Sequence, residues 1–140
     1  IIIFLLVLIM SKNFYETEIS GWGGYPIRKA KVVYPKNTEE ILMEINKGTL
    51  IARGNGRAYG DSSINEKKTI NMRYFNHILS FDEKSGVLEV ESGLLLEDII
   101  NTFLPRGWFP YVTPGSKFVT IGGLIAADVH GKNHHKEGSS

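Results

Sequence analysis

The part of the sequence that decides the fold is TPGSKFVTIGGLIAADVHGKNHH, residues 113–135. It combines four glycines, a proline and three histidines with a short apolar run, Ile121–Ala127. Glycine lets the main chain approach a bound molecule closely, and successive free N–H groups in such turns form concave sites for anions. The apolar run predicts one or two helical turns, whose N-terminus would add further N–H donors. This favours a backbone wrapped around a phosphate-bearing ligand; the alternative is a plain turn before a packed helix.

A second glycine-rich loop lies about sixty residues earlier in the chain. The segment RGNGRAYG, residues 53–60, follows the apolar run Thr49–Ala52, which is typical of a buried strand. Its spacing is G-x-G-x-x-x-G, and Asp61–Lys68 lacks the apolar periodicity of the helix that a Rossmann site requires. The loop is therefore expected to form a backbone nest, with Arg53 and Arg57 neutralising phosphate charge and Tyr59 stacking or hydrogen-bonding.

The rest of the chain alternates predicted strands and helices. Strands are predicted at Lys31–Pro35, Thr49–Arg53, Thr69–Met72, Ile78–Asp82 and Val87–Glu91, the last two joined as a hairpin by the turn 83–86. Helices are predicted at Glu39–Lys47, capped by Asn37 or Thr38, and at Leu94–Leu104. The first helix and its flanking strands predict a βαβ unit. The aromatic side chains of Trp108–Tyr111 could pack under a ligand or in the core, and the core is favoured.

Composition excludes several classes of protein. With 140 residues, of which 42% are hydrophobic and 22% charged, the chain is expected to form a globular unit with a core. The net charge is +1 and the basic residues are scattered among acids, so no nucleic-acid surface is predicted. The absence of cysteine excludes disulfides and cysteine-based metal or nucleophile chemistry, and is consistent with a cytoplasmic location.

The chain begins with an apolar prefix, Ile1–Ile9, followed by Met10-Ser11-Lys12. Nine residues cannot span a bilayer, which takes about twenty, and no basic leader or cleavage site accompanies them. Because Met10 is typical of a translation start, residues 1–9 are expected to lie outside the fold and residues 10–140 to form the domain. A cropped signal peptide or membrane anchor stays open as the rival interpretation.

The histidines at 130, 134 and 135 are not predicted to bind metal. Ligands four apart face the same way only on a helix, and Gly131 disfavours a continuous helix here. No cysteine or acidic cluster completes a coordination set. A histidine here is instead expected to orient substrate or move a proton. The isolated His77 is expected to be structural.

Three segments, Ile19–Gly23, Arg53–Asp61 and Thr120–His135, resemble flavin oxidases of the vanillyl-alcohol oxidase superfamily. Within it they are most similar to the branch of decaprenylphosphoryl-β-D-ribose 2-oxidase-like enzymes. The resemblance runs from Ile19 to Ser140, and HGKNHH at 130–135 is its most specific element. It implies an α+β fold, namely an FAD-binding domain of the PCMH type with two small α/β subdomains. Residues 10–140 would be the N-terminal part, ending before the substrate or cap domain.

The resemblance also implies the site. FAD is expected to bind without a covalent link, because Arg57 stands where several superfamily members carry the histidine attached to the flavin. His130, Lys132 and Asn133 are expected nearest the flavin face and the substrate, and the catalytic base is expected outside this chain. The implied cofactor contacts are Arg53, Gly54, Asn55, Gly56, Arg57, Ala58, Tyr59, Pro114, Gly115, Ser116, Val119, Gly122, Gly123, Ala126, Val129 and His130.

The function that the resemblance implies is FAD-dependent oxidation of a sugar secondary alcohol to a ketone. The expected substrate is a lipid-linked or free sugar, above all the 2-hydroxyl of a polyprenylphosphoryl-pentose. A reductase partner would complete an epimerisation, and peripheral association with a membrane stays open. The alternatives are an aldonolactone or alditol oxidase of the same superfamily, and a noncatalytic nucleotide-binding module.

Overall fold

The computed structural model describes residues 14–139, so the apolar prefix at 1–9 lies outside the described residues. Strands dominate the first part of the described chain and helices the last part, in agreement with the α+β prediction. The strands are β1 (Phe14–Ile19), β2 (Arg28–Val33), β3 (Ile51–Arg53), β4 (Thr69–Asn71), β5 (Ile78–Asp82) and β6 (Val87–Val90). The helices are α1 (Thr38–Ile45), α2 (Leu96–Phe103), α3 (Ile121–Ala126) and α4 (His134–Glu137), and a 3-10 turn at Leu104–Arg106 follows α2.

The first four strands form one sheet in the order β1-β2-β4-β3. β1 pairs antiparallel with β2, whereas β4 pairs parallel with both β2 and β3. The predicted βαβ unit exists as β2, α1 and β3, but its two strands are not neighbours because β4 lies between them. Asn37 is the N-cap of α1, and its side-chain oxygen accepts from the Glu40 N–H at 2.9 Å. Gly48 lies three residues after the end of the helix and has a positive φ of +122°.

β1 and the start of β2 depart most from the sequence prediction, whereas the other bounds of the predicted strands differ by at most two residues. β1 was not predicted, because its residues FYETEI are exposed along most of the strand and carry no alternation of buried and polar positions. β2 begins at Arg28 rather than Lys31, and its exposed first residues pair with the edge strand β1. β1 and the first two residues of β2 are thus held by backbone pairing, which leaves no apolar pattern in that part of the sequence.

A second layer is made by the predicted hairpin and α2. β5 and β6 pair antiparallel, and the buried residues Leu94, Ile99 and Phe103 pack against Phe81, Leu88, Val90, Trp108 and Ile121. The rings of Phe81 and Phe103 lie 4.6 Å apart and those of Phe81 and Trp108 lie 5.2 Å apart. Of the aromatic run at 108–111, only Trp108 contributes to this core. The predicted core position is wrong for Phe109 and Tyr111, which are 57% and 81% exposed.

Among residues 14–139, no helix combines the length and the apolar character needed to cross a membrane.

Candidate cofactor site

The first glycine-rich loop leaves the end of β3 with its backbone amides free. Gly56 has φ of +65°, a left-handed conformation that glycine adopts without strain. Within the part of the chain that the structure describes, the N–H groups of residues 54–59 donate to no protein acceptor. Consecutive free amides of this kind form an anion-binding concavity, as the sequence predicts.

The two arginines of this loop have different surroundings. The Arg53 guanidinium donates to the Ser20 carbonyl at 2.6 Å and to the Ser63 hydroxyl at 3.2 Å. Burial lowers the pKa of Arg53, although an arginine remains charged at neutral pH. Arg53 therefore stabilises the loop through hydrogen bonds within the protein. Arg57, in contrast, is exposed, and its guanidinium lies 5.7 Å from the centre of the Phe118 ring.

The second loop, residues 113–120, is anchored to the start of α2 through its carbonyl groups. The Leu96 N–H donates to the Val119 carbonyl at 3.0 Å, and the Glu97 N–H donates to the Lys117 carbonyl at 2.9 Å. The Lys117 ammonium also lies 2.7 Å from the Glu97 carboxylate. In the described chain, the N–H groups of residues 115–117 donate to no protein acceptor. The loop thus presents free amides while its carbonyls hold α2.

The helix predicted at Ile121–Ala127 is present as α3, but its first amides are not available to a ligand. The Ile121 N–H donates to the Leu94 carbonyl at 2.9 Å and the Gly122 N–H to the Ser92 carbonyl at 2.8 Å. The Gly123 N–H donates to the Thr120 hydroxyl at 3.2 Å. The expectation of further donors from this helix terminus is therefore wrong, because an N-cap and a neighbouring turn satisfy them.

The two glycine-rich loops touch each other. The Asn55 side-chain amide donates to the Phe118 carbonyl at 2.9 Å. Thr120 is 3% exposed and lies against Gly54 so closely that a Cβ on Gly54 would stand 2.9 Å from its Cγ2 and overlap its Oγ1. The expected convergence of the loops is confirmed. Thr120 was not among the predicted site residues, since a small hydroxyl residue before a helix is explained by capping alone.

The segment HGKNHH forms one wall of an open cleft of about 770 Å³. Two residues after α3, Asp128 has φ of +45°, and the chain then turns through the exposed His130 and Lys132. The opposite wall is the segment 109–115, in which all residues except Val112 line the cleft. The rings of His130 and His134 lie 5.1 Å apart, edge to face, on the first wall. The structure therefore brings His130, Lys132 and the exposed aromatics Phe109 and Tyr111 together around one space.

The predicted site residues fall into four places. Arg53 at the end of β3 and Gly54–Tyr59 form the first loop, Pro114–Ser116 and Val119 the second, and His130, Lys132 and Asn133 the cleft wall. Gly122, Gly123 and Ala126 lie on α3, and Val129 follows three residues after Ala126. Within residues 14–139, no group of three or more metal-ligating side chains is arranged to hold an ion. His77, on the hairpin, contacts the Glu91 carboxylate at 2.6 Å through Nδ1.

These surroundings fit the polar part of FAD. Two sets of free amides meet at the Asn55–Phe118 hydrogen bond, the exposed Arg57 lies beside them, and no protein atom lies within 4 Å of a Cβ built on Gly115. A diphosphate needs such donors and such close backbone approach.

Comparisons with known proteins agree with this geometry. The family model described as "FAD binding domain" matches residues 30–140. The chain is 36% identical over 129 residues to decaprenylphosphoryl-beta-D-ribose oxidase of Mycolicibacterium smegmatis, covering 87% of this chain and 28% of that protein. It is 29% identical to D-lactate dehydrogenase of Anaerostipes hadrus, covering 92% of this chain and 28% of that enzyme.

The fold is shared with solved structures. Two crystal forms of alkyldihydroxyacetonephosphate synthase superpose with TM-scores of 0.63 and 0.65 at 23% and 22% identity. Each superposition covers 81% of this chain and about a quarter of the synthase. The chain likewise spans about a quarter of the two curated relatives named above. With the family model matching most of its length, this chain belongs to the FAD binding domain family, has the PCMH-type fold and takes FAD as its cofactor.

Proposed function

We propose that the protein is an FAD-dependent oxidoreductase that converts a secondary alcohol of a sugar to a ketone. The observation that carries the proposal is the junction of two amide-lined loops at Asn55 and Phe118, since it makes one diphosphate site from segments sixty residues apart. The backbone N–H groups of residues 54–59 and of Gly115 and Ser116 would hold the diphosphate of FAD, with Pro114 beside them and Arg57 adding charge. Val119, Gly122, Gly123, Ala126 and Val129 would follow the ribityl chain toward the ring.

The protein's contribution is binding and orientation, because the cofactor would supply the redox chemistry by accepting a hydride from the alcohol carbon while a base takes the hydroxyl proton. His130 and Lys132 would face the substrate from the cleft wall, where they can orient a hydroxyl group or an anionic group. We propose that FAD is dissociable: Arg57 occupies the first-loop position of the histidine that links the flavin in several relatives, and the chain has no cysteine.

The proposed substrate is a polyprenylphosphoryl-pentose oxidised at its 2-hydroxyl. Support comes from the name of the Mycolicibacterium smegmatis relative and from the ammonium group of the exposed Lys132 in the lining of the cleft. A lipid-linked substrate would bring the protein to a membrane surface from the cytoplasm, and a reductase partner would complete an epimerisation.

A second candidate is oxidation of a D-2-hydroxy acid, which the likeness to D-lactate dehydrogenase favours. Both candidate substrates place a secondary alcohol near an anionic group, so the cleft suits either. Aldonolactones and alditols, which carry no phosphate, form a third class of substrate for the same fold. A noncatalytic nucleotide-binding module would bind FAD or ADP without any substrate reducing the flavin.

The test begins with purification of the full-length protein and its visible absorbance spectrum. Acid precipitation should release all of the flavin into the supernatant. Under anaerobic conditions, a short-chain polyprenylphosphoryl-β-D-ribose should bleach the flavin band, while D-lactate, an alditol and an aldonolactone should not. Bleaching by D-lactate alone would support the second candidate. A colourless protein that binds ADP but not FAD would contradict the proposal.

A further inference from the structure

One side chain ties the two walls of the cleft together. The Asn133 amide nitrogen, on the HGKNHH wall, donates to the Tyr111 carbonyl on the opposite wall at 2.8 Å. The two residues are 22 positions apart in the sequence, so this bond joins separate segments. The Tyr111 side chain is exposed to solvent, so the contact of Tyr111 with the other wall is made by its backbone carbonyl.

The close approach of the backbone at Gly131 strengthens this tie. A Cβ on Gly131 would stand 2.8 Å from the Thr113 carbonyl oxygen and 2.8 Å from Asn133 Oδ1. The Asn133 side chain therefore lies across the Cα of Gly131, with its oxygen there and its nitrogen on Tyr111. The turn is also closed by the His134 N–H, which donates to the Gly131 carbonyl at 3.2 Å.

We propose that Asn133 is a positioning residue that sets the spacing between the two walls, and so the placement of His130 and Lys132 toward the substrate. This inference rests on the proposed function, since it concerns the substrate side of the same site. It assigns Asn133 a role different from the direct contact with the flavin expected from the sequence. In the proposed function the FAD diphosphate lies against the loops at 54–59 and 114–116, and the Asn133–Tyr111 hydrogen bond belongs to neither loop, so loss of the tie should leave cofactor binding in place.

The test compares Asn133→Asp and Asn133→Ala in the full-length, FAD-loaded protein. Asp keeps the shape of the side chain but loses the N–H donor, and it places a carboxylate against the Tyr111 carbonyl. We expect each variant to raise KM for a short-chain polyprenylphosphoryl-β-D-ribose by roughly threefold to tenfold, the effect of one lost hydrogen bond. The turnover number, the FAD dissociation constant and the position of the visible flavin band should change little.

The same changes at Asn46, the C-cap residue of α1, are the matched control. In the described chain the Asn46 side chain makes no hydrogen bond, so Asn46→Asp and Asn46→Ala should leave KM unchanged. Amide hydrogen exchange adds a readout that needs no turnover: the amides of His134 and Lys136, which donate to the Gly131 and Asn133 carbonyls, should exchange faster in both Asn133 variants than in the parent protein.

A shift of the flavin band or a weakened FAD affinity in the Asn133 variants would overturn the inference in favour of direct contact with the cofactor. Unchanged KM together with unchanged exchange at His134 and Lys136 would also overturn it. If the parent protein binds FAD but is not reduced by the lipid-linked ribose, the proposed substrate fails, and the exchange measurement alone then decides the inference.

Discussion

The contact between Gly54 and Thr120 predicts that the methyl group added by Gly54→Ala will push the two glycine-rich loops apart. Gly54 does not have a left-handed φ, so Gly54→Ala adds no backbone strain, and its effect must come from the Cβ. That Cβ would lie 2.9 Å from Thr120 Cγ2 and overlap Oγ1 of the same buried side chain. Overpacking of this kind costs about 1–3 kcal/mol of unfolding free energy. If the loops part enough to lose one amide contact to the diphosphate, FAD affinity should fall by about tenfold to a hundredfold.

The assay is FAD titration by flavin fluorescence, together with urea unfolding of the full-length apoprotein. Gly23→Ala is the control, because no atom lies within 4 Å of a Cβ built there and its φ is not left-handed. A second substitution isolates the cause. Thr120→Ala alone removes the N-cap of α3, which is worth about 1 kcal/mol, but in the Gly54→Ala background it also removes both overlapping atoms.

The double variant Gly54→Ala/Thr120→Ala should therefore be more stable than Gly54→Ala alone and bind FAD more tightly. Only the Thr120 Cβ, at 3.1 Å, would still press on the new methyl group. If the two substitutions instead destabilise additively, the residues do not touch, and the reasoning is refuted.

Three further predictions separate cofactor contacts from structural support. Arg57→Ala should weaken FAD binding by about tenfold or more without changing the unfolding free energy. Arg53→Ala should lower the unfolding free energy, since the Arg53 guanidinium makes two hydrogen bonds within the protein. Equal effects of the two variants in FAD titration and in urea unfolding would contradict this. Gly115→Ala, which meets no protein atom within 4 Å, should leave stability unchanged and lower FAD affinity in the same titration; unchanged affinity would place the cofactor elsewhere. The Lys47 and Lys68 ammonium groups hold the pKa of Glu44 below its ordinary value of 4.5, although partial burial opposes them. The stabilisation from Glu44 is thus complete above about pH 4.5 and is lost as pH falls through the lowered pKa. Glu44→Gln should therefore cost about 1 kcal/mol of unfolding free energy at pH 7 and reduce the loss of stability on acidification. If urea unfolding shows the same loss of stability on acidification in the variant, Glu44 and its two lysines are not the source of that loss.

The sequence predicts those parts of this fold whose residues carry a local signal. Asn37 before an acidic first turn predicts the start of α1, and the spacing of Leu96, Ile99 and Phe103 predicts the buried face of α2. The hairpin β5–β6 follows from its turn residues. β1 has no such signal, because an exposed edge strand is held by backbone pairing to β2. The place of β4 between β2 and β3 depends on long-range pairing, which no local pattern encodes.

The site was predictable in composition but not in its internal contacts. Glycine content identifies both loops, and the resemblance places them on one cofactor. The sequence does not show which polar groups are already hydrogen-bonded within the protein and so are not available to a ligand. The guanidinium of Arg53 and the first amides of α3 are chemically suited to phosphate, yet both are satisfied within the fold. Thr120 looks like a simple cap in the sequence, whereas in three dimensions it is the contact surface between the loops.

Amide hydrogen exchange of the full-length protein across an FAD titration tests most directly whether the two loops bind one cofactor. The free amides of residues 54–59 and 115–117 should both become protected, with the same midpoint in FAD concentration. Protection of one loop only, or two different midpoints, would contradict the account.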